Sequence, residues 1–273
     1  MKDLLGIGDL STNSLETVKL IYPDLAQPGI KKVGLALETV LDFSNTILLP
    51  LKLVNEKSKF FFQRHMENYK EKLNKVPEEQ IGTVTPEIGL PILDELLRVT
   101  NDDLADLFTN LLVNASTVNG SQYAHPSFIN IIKSLSADEA RIVKYLSEIS
   151  NPSELVIFIR FEKVDSMGSV PLTKEFNNLN NLVPLDFKEN DGFYINNLIN
   201  LGILQPQNIY YRDAEKLYKD LEANYQELYK LYLDELNKGI RESLIQDTNT
   251  KLNINRGSNK ITEYGESLFK SIT

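Results

Sequence analysis

Apolar residues recur at steps of three and four along residues 30–54, a spacing that predicts an amphipathic helix. They are Val33, Leu37, Val40, Leu41, Ile47, Leu48 and Leu51. We expect Pro50 to kink or end this helix, because proline lacks a backbone donor and its ring clashes with the preceding turn. Residues 52–75 predict a second helix, which we expect to pair with the first as a helical hairpin.

Proline and glycine interrupt residues 75–89, which predicts a linker. Within this stretch, Thr85 followed by Pro86 suits the start of a helix. Asn101 is a stronger start signal, because its side chain can accept a hydrogen bond from the first helical turn. The apolar stripe that follows predicts a helix and consists of Leu104, Leu107, Phe108, Leu111 and Leu112.

Two adjoining helices are predicted between residues 125 and 149. His125 and Pro126 begin the first helix. Ser136 and Glu139 begin the second as a capping box, in which each side chain accepts a hydrogen bond from the backbone amide of the other residue. The apolar faces consist of Phe128, Ile131, Ile132 and Leu135 in the first helix and of Ala140, Ile142, Val143, Leu146 and Ile149 in the second.

The pattern of residue types changes after Pro152. The run ELVIFIRFEKV predicts a strand, GFYINNLINLGILQ a helix and NIYY a second short strand. Residues 212–246 predict one long helix, which we expect to project or to pack along another chain. The end of the chain predicts a β-hairpin that turns at residues 257–259, followed by a short helix from Thr262.

The order of these elements is close to that of a winged-helix domain. The predicted fold is therefore mainly α with a small β component. We expect an N-terminal helical hairpin region over residues 1–80 and a helical core region over residues 81–135. A winged-helix-like α+β domain is expected over residues 136–273, with the helix at 212–246 as a long insertion.

The composition excludes several classes of site. The chain has 273 residues, and 42% of them are hydrophobic, which is enough to bury a core without covalent cross-links. It contains no cysteine, so disulfides, zinc–thiolate sites and cysteine nucleophiles are excluded. We expect a cytoplasmic protein without a secretory signal. Charged residues and Pro50 interrupt the longest apolar stretch, residues 33–54, which argues against a transmembrane helix.

No residue is predicted to be catalytic, to bind a cofactor or to ligate a metal ion. His125 could titrate as a general base near neutral pH, but no serine–histidine–acid spacing assembles around it. Its position before Pro126 instead predicts a capping or packing role. His65 lies 60 residues away, and two distant histidines without a cysteine make a weak zinc site.

Two acidic pairs and one glycine pair have ordinary structural explanations. Asp102/Asp103 and Asp138/Glu139 could be hydrolase carboxylates. Each pair lies in the first turn of a predicted helix, where the helix dipole stabilises negative charge whatever the function. The glycines of LGIGDL lack the third glycine and the preceding strand of a dinucleotide site.

The charge distribution argues against nucleic acid as the main partner. The net charge is −9, and residues 81–150 hold nine acidic and four basic side chains. The helix of the winged-helix order that would enter a DNA groove lies within residues 192–205 and contains no lysine or arginine. Lys251, Arg256 and Lys260 of the predicted hairpin could supply only a weak contact.

A membrane surface is the other alternative contact. The stretch from Lys57 to Lys75 combines basic side chains with three consecutive phenylalanines, a combination found in surface-binding helices. Gly34 and Ala36 give the preceding helix a small-residue side that would allow close packing or insertion. Packing into the protein core explains the same apolar residues.

Five segments occur in order that together resemble the Abi-alpha (abortive infection alpha) family. They are DLAQPGIKKVGLALETVL with LLPLKLVNEK, VPEEQIGTVTPEIGLPIL, NDDLADLFTNLLVNAS, AHPSFINIIKSLSADEARIVKYL and ITEYGESLFKSI. The similarity runs from about Pro28 to the end, and residues 101–146 are its most specific part. The resemblance implies a cytoplasmic bacterial protein associated with phage defence, in which infected cells stop growing before the virus matures. It assigns no catalytic residue.

We therefore expect a non-enzymatic antiviral defence protein that acts through protein contacts, without a cofactor. A phage or host protein is the expected partner, and the long helix at 212–246 favours self-association. The helical pair at 30–75 is the expected effector surface, and the winged-helix-like part is the expected sensor or assembly module. A nucleic-acid-binding regulator and a membrane-active effector that uses residues 30–75 remain as alternatives.

Overall fold

The computed structural model describes Ala36 and residues 56–149, 156–242, 244–245, 247 and 249–273. The helix expected at residues 30–54, its pairing with the next helix and the glycines of LGIGDL lie outside the described residues, apart from Ala36, which is helical and buried. The chain divides into two compact units. The described residues up to Ala140 form the first unit with Lys270–Thr273, and Arg141–Phe269 form the second.

The first unit is a helical bundle. Its helices are α1 (Glu56–Leu73), α2 (Pro86–Leu96), α3 (Asp102–Ala115), α4 (Pro126–Lys133) and the beginning of α5 (Ala137–Glu148). Helix α3 contacts α1, α2 and α4, so its apolar stripe becomes the centre of the core. Leu107 and Leu111 of α3 are almost fully buried, as are Phe62 and Met66 of α1.

Local capping contacts fix where these helices begin. The side chain of Asn101 accepts a hydrogen bond from the Leu104 amide at 3.0 Å. The predicted capping box is confirmed, because Glu139 accepts from the Ser136 amide at 2.7 Å and Ser136 accepts from the Glu139 amide at 3.3 Å. Helix α2 begins at Pro86 as expected, although the Thr85 side chain makes no capping bond.

The second unit is built on one antiparallel sheet. Its strands are β1 (Ile157–Asp165), β2 (Gly168–Pro171), β3 (Phe176–Asn177), β4 (Leu204–Gln207) and β5 (Lys251–Ile261), in the order β2-β1-β5-β4 with β3 also paired to β1. Its helices are α6 (Leu179–Leu182), α7 (Asp191–Asn200), α8 (Glu215–Asn224), α9 (Gln226–Arg241) and most of α10 (Glu263–Ile272). The described chain is thus mostly helical with one five-stranded sheet.

Helices α8 and α9 cover one face of this sheet. Alternate residues of β1 point toward them, because side chains of a strand alternate between the two faces. Ile157, Ile159 and Phe161 form a cluster there with residues from both helices. Tyr218 of α8 and Tyr229 of α9 donate hydrogen bonds to backbone carbonyls of β5, at 2.9 Å and 3.3 Å.

The hairpin predicted at residues 257–259 is wrong. Strand β5 continues through these residues, and Gly257 pairs with Phe158 of β1. A turn is favoured by the local sequence Gly-Ser-Asn, but here the glycine lets the Phe158 ring lie against the backbone. The hairpin of this sheet lies earlier, where β1 and β2 are joined at Ser166 and Met167.

The single long helix predicted at residues 212–246 is also wrong. Helix α8 ends at Asn224, and Tyr225 leaves the helical conformation with φ −112° and ψ 16° before α9 begins. The Tyr225 ring stacks on Phe176 of β3 with their centroids 4.1 Å apart. Both helices cover the sheet of their own unit. The apolar stripe that predicted a projecting helix therefore packs against that sheet.

The second strand of this region also differs from the prediction. Strand β4 occupies Leu204–Gln207, whereas the NIYY segment at residues 208–211 forms no strand. The preceding helix α7 ends at Asn200, so the predicted helix was too long by several residues. Gly202, at φ 75°, allows the chain to reverse between the helix and the strand. The winged-helix arrangement stays a prediction.

Candidate functional site

His125 caps a helix on the protein surface. Its Nδ1 atom accepts a hydrogen bond from the Ser127 amide at 3.1 Å and lies 2.7 Å from the Ser127 hydroxyl. The exposed imidazole is therefore the hydrogen-bond acceptor for an amide in the first turn of α4. This contact explains why a histidine precedes Pro126 without assigning it any chemistry.

His65 is only 3% exposed, whereas its basic neighbours in the sequence, Arg64, Lys70 and Lys72, would favour a solvated side chain. Its Nε2 atom donates to the carbonyl of Val99 at 3.1 Å, which ties α1 to the loop between α2 and α3. Burial lowers the pKa of His65, and the adjacent Arg64 lowers it further, against the opposing effect of the Val99 carbonyl. The neutral imidazole is thus the form that fits this site.

Acidification is expected to destabilise the first unit through His65. Because burial holds its pKa below the ordinary histidine value, the unfolded chain binds the proton first, and stability falls as the pH drops below about 6.5. Urea unfolding should show that the free energy of unfolding differs less between pH 7.5 and pH 5.5 in His65→Gln than in the wild type, because glutamine cannot titrate. His125→Gln is the matched control, and an unchanged pH difference in His65→Gln would contradict this assignment.

The acidic pairs lie in first helical turns, as their positions predicted. Asp102 and Asp103 begin α3, and Asp102 forms an ion pair with Arg64 of α1. Asp138 and Glu139 begin α5 and are buried. Glu139 accepts the hydrogen bond of the capping box, so these carboxylates stabilise the first turns of their helices and contribute to packing.

One of the three basic residues considered for a weak DNA contact, Arg256, is held within the protein. Arg256 donates to Glu222 through two nitrogens, at 2.5 Å and 3.0 Å, and to Glu215 at 3.2 Å. The hydrogen bonds that Arg256 donates to Glu222 raise the pKa of Arg256. Lys251 and Lys260 are exposed but lie at opposite ends of β5. A guanidinium that already donates to two carboxylates has few N–H groups left to donate to a phosphate.

The aromatic and basic part of α1 divides between core and surface. Phe62 is buried, whereas Phe60 is 60% exposed. The cations of Lys57 and Arg64 lie 5.9 Å and 5.7 Å from the centroid of the half-buried Phe61 ring. The predicted core packing is therefore present, and one phenylalanine remains at the surface.

A polar cluster on the sheet face opposite α8 and α9 was not predicted. Glu162 accepts bonds from Ser169 at 2.6 Å, Asn255 at 2.8 Å and Arg160 at 2.6 Å and 2.9 Å. Burial alone would raise the pKa of Glu162, but these bonds outweigh burial and lower it. The cluster joins β1, β2 and β5, and four bonds to one carboxylate leave it a poor proton acceptor.

Glu175 lies next to this cluster, and its pKa is shifted in the opposite direction to that of Glu162. Burial raises the pKa of Glu175 despite the guanidinium of Arg160 at 3.3 Å. Two carboxylates with opposite pKa shifts are a pattern of acid–base sites. Here Arg160 donates to both carboxylates and so links β1 to the residue before β3.

The first unit contains a groove between α2 and α4. Its volume is about 370 Å³, and its lining consists of Leu90, Pro91, Asp94 and Glu95 from α2 with Ile129, Asn130 and Lys133 from α4. Leu90, Pro91 and Ile129 form an apolar end. The charged residues form the other end, where Lys133 pairs with Glu95 at 2.7 Å across the groove. This volume lies at the lower end of the range of binding pockets, which is about 300–1,000 Å³.

This groove was not predicted from the sequence. Its walls come from two helices about 40 residues apart, and only packing brings them together. Pro91 was the one local signal, because an exposed proline inside a helix is unusual. Among the described residues, no group of three or more histidine, aspartate or glutamate side chains could hold a metal ion. Of the described helices, none is both long and apolar enough to cross a bilayer.

Comparison with known proteins gives one result. A family model described as abortive infection alpha matches residues 61–272, which include most of both units. No curated protein and no solved structure matches the chain.

Proposed function

The chain belongs to the abortive infection alpha family, and from this premise we propose that it protects bacteria against phage by contacting another protein, without catalysing a reaction. The observation that carries the proposal is the family match over residues 61–272. The match spans most of the helical unit and the sheet unit, so the proposal concerns both units.

The local chemistry supports contact rather than catalysis. His125 and Glu139 cap helices, and Glu162 is saturated with hydrogen bonds. Arg256 is held by Glu222 and Glu215. By contrast, the groove between α2 and α4 offers an open apolar surface next to charged groups, which is the composition of a protein-binding site.

In this proposal the groove contacts the phage or host protein. The winged-helix-like order of the second unit suits a sensor or assembly module. The predicted effector surface at residues 30–75 is retained only for α1, where Phe60 is exposed, since residues before 56 lie outside the described chain apart from Ala36.

Expression of the protein is expected to lower phage plating. Cells that express the wild-type chain and cells that carry an empty vector would be challenged with a panel of phages. At low phage dose the expressing culture should survive, because infected cells stop growing before releasing virus. At high dose, when every cell is infected, both cultures should stop growing.

Two outcomes would count against this proposal. Equal plaque numbers on both cell types for every phage would remove the defence role. Survival of the expressing culture at high phage dose would point to a defence that spares the infected cell. Either result is clear without knowledge of the trigger.

A further inference from the structure

We propose that the groove between α2 and α4 binds a helical segment of a partner protein that carries an aliphatic side chain with a lysine or arginine one turn away. The inference rests on the proposed function for its biological context. Its physical basis is the position of apolar and charged residues along the groove.

The apolar end selects the aliphatic side chain. Leu90 is half-exposed and Pro91 is exposed, while Ile129 is buried and forms the floor. All three lack a polar side-chain atom, so a polar group inserted there would lose hydrogen bonds to water without replacement. The volume of about 370 Å³ admits one large anchor but not a whole helix. A helix lying on the groove would therefore insert a single side chain.

The charged end selects the cation. Asp94 and Glu95 contribute two carboxylates to the lining, against the single ammonium of Lys133. Asp94 also pairs with Arg98 at 2.8 Å, but that arginine is 61% exposed. Exposed ion pairs at this helical spacing contribute little to stability, so an incoming cation can compete with Arg98 for Asp94. The acidic excess of residues 81–150 adds attraction at longer range.

The distance between the two ends sets the spacing in the partner. Leu90 and Asp94 are four residues apart on α2, and Ile129 and Lys133 are four residues apart on α4. Four residues of α-helix rise about 6 Å. A partner helix aligned with the groove meets both ends when its anchor and its cation are three or four residues apart.

Three synthetic helical peptides of equal length test this inference with the full-length chain. Each carries the same leucine anchor. The first has lysine four residues later, the second has glutamate there, and the third has lysine two residues later, on another face. Fluorescence anisotropy should give a dissociation constant about tenfold lower for the first peptide than for either of the others.

Variants connect this preference to the groove. Asp94→Lys should remove the preference for the first peptide over the second, and Leu90→Ser should weaken both. Glu79→Lys, an exposed acid outside the groove, should leave the order unchanged. Urea unfolding would confirm that each variant is folded. Equal affinity for the three peptides, or an unchanged preference in folded Asp94→Lys, would overturn the inference.

The outcome separates this inference from the proposed function. If the protein fails to protect cells while the peptides follow the expected order, the defence role alone is wrong. If the protein protects cells while the peptides bind equally, this assignment of the groove is wrong.

Discussion

Replacing Phe161 with alanine is expected to lower the free energy of unfolding of the second unit by about 3–5 kcal/mol, the range for deletion of a fully buried aromatic ring. Phe161 is 1% exposed, at the centre of the face covered by α8 and α9. Its ring centroid lies 5.7 Å from that of Phe176, 5.3 Å from Tyr229 and 6.1 Å from Tyr232. Alanine would remove these contacts and leave a cavity between sheet and helices.

Phe193→Ala is the matched control, because Phe193 is 67% exposed on α7 and its removal leaves no cavity. Urea unfolding followed by tyrosine fluorescence suits the measurement, since the chain has 12 tyrosines and no tryptophan. The midpoint should fall strongly in Phe161→Ala and hardly at all in Phe193→Ala. Equal midpoints in the two variants would contradict the described packing of α8 and α9 on the sheet.

Gly257→Ala is expected to lower the free energy of unfolding by about 3 kcal/mol, at the upper end of the range for overpacking. A Cβ atom at position 257 would lie 2.3 Å from the Phe158 ring and 2.6 Å from the carbonyl oxygen of Gln207. The second contact is with backbone of β4, which cannot rotate away. The strands β1, β5 and β4 would have to separate, so the effect should spread across the sheet.

Gly192→Ala is the control for this change. A Cβ atom there meets nothing within 4 Å, and Gly192 lies in the first turn of α7. Replacing glycine with alanine in a compatible helical position raises the free energy of unfolding by about 0.4–1 kcal/mol. Circular dichroism in urea should therefore show opposite changes for the two substitutions. A Gly257→Ala protein as stable as the wild type would support a turn at residues 257–259 instead of a continuous strand.

The starts of helices could be predicted because capping depends on neighbours in sequence. Asn101 and the Ser136/Glu139 box each satisfy amides within three residues, and all of those bonds are present. The errors arose where tertiary contacts override local preference. Gly257 resembles a turn residue but permits close strand packing, and Tyr225 interrupts a regular apolar stripe because its ring stacks on Phe176.

The candidate site was less accessible to prediction than the fold. The sequence directed attention to His125, which caps α4, and to Arg256, which the structure shows bound by Glu222. The groove depends on how Leu90 and Ile129 meet across two helices, and neither residue is unusual in its own segment. A site built from ordinary apolar residues gives no sequence signal until the helices are packed.

The plaque assay with a groove variant tests the central claim most directly. The wild-type chain, Leu90→Lys and the matched Leu231→Lys, which alters an exposed leucine of α9, would be expressed at equal levels and checked for unchanged unfolding midpoints. We predict that the wild-type protein and Leu231→Lys protect the cells, whereas Leu90→Lys does not, because a lysine at the apolar end excludes the partner. Full protection by a folded Leu90→Lys protein would contradict the account.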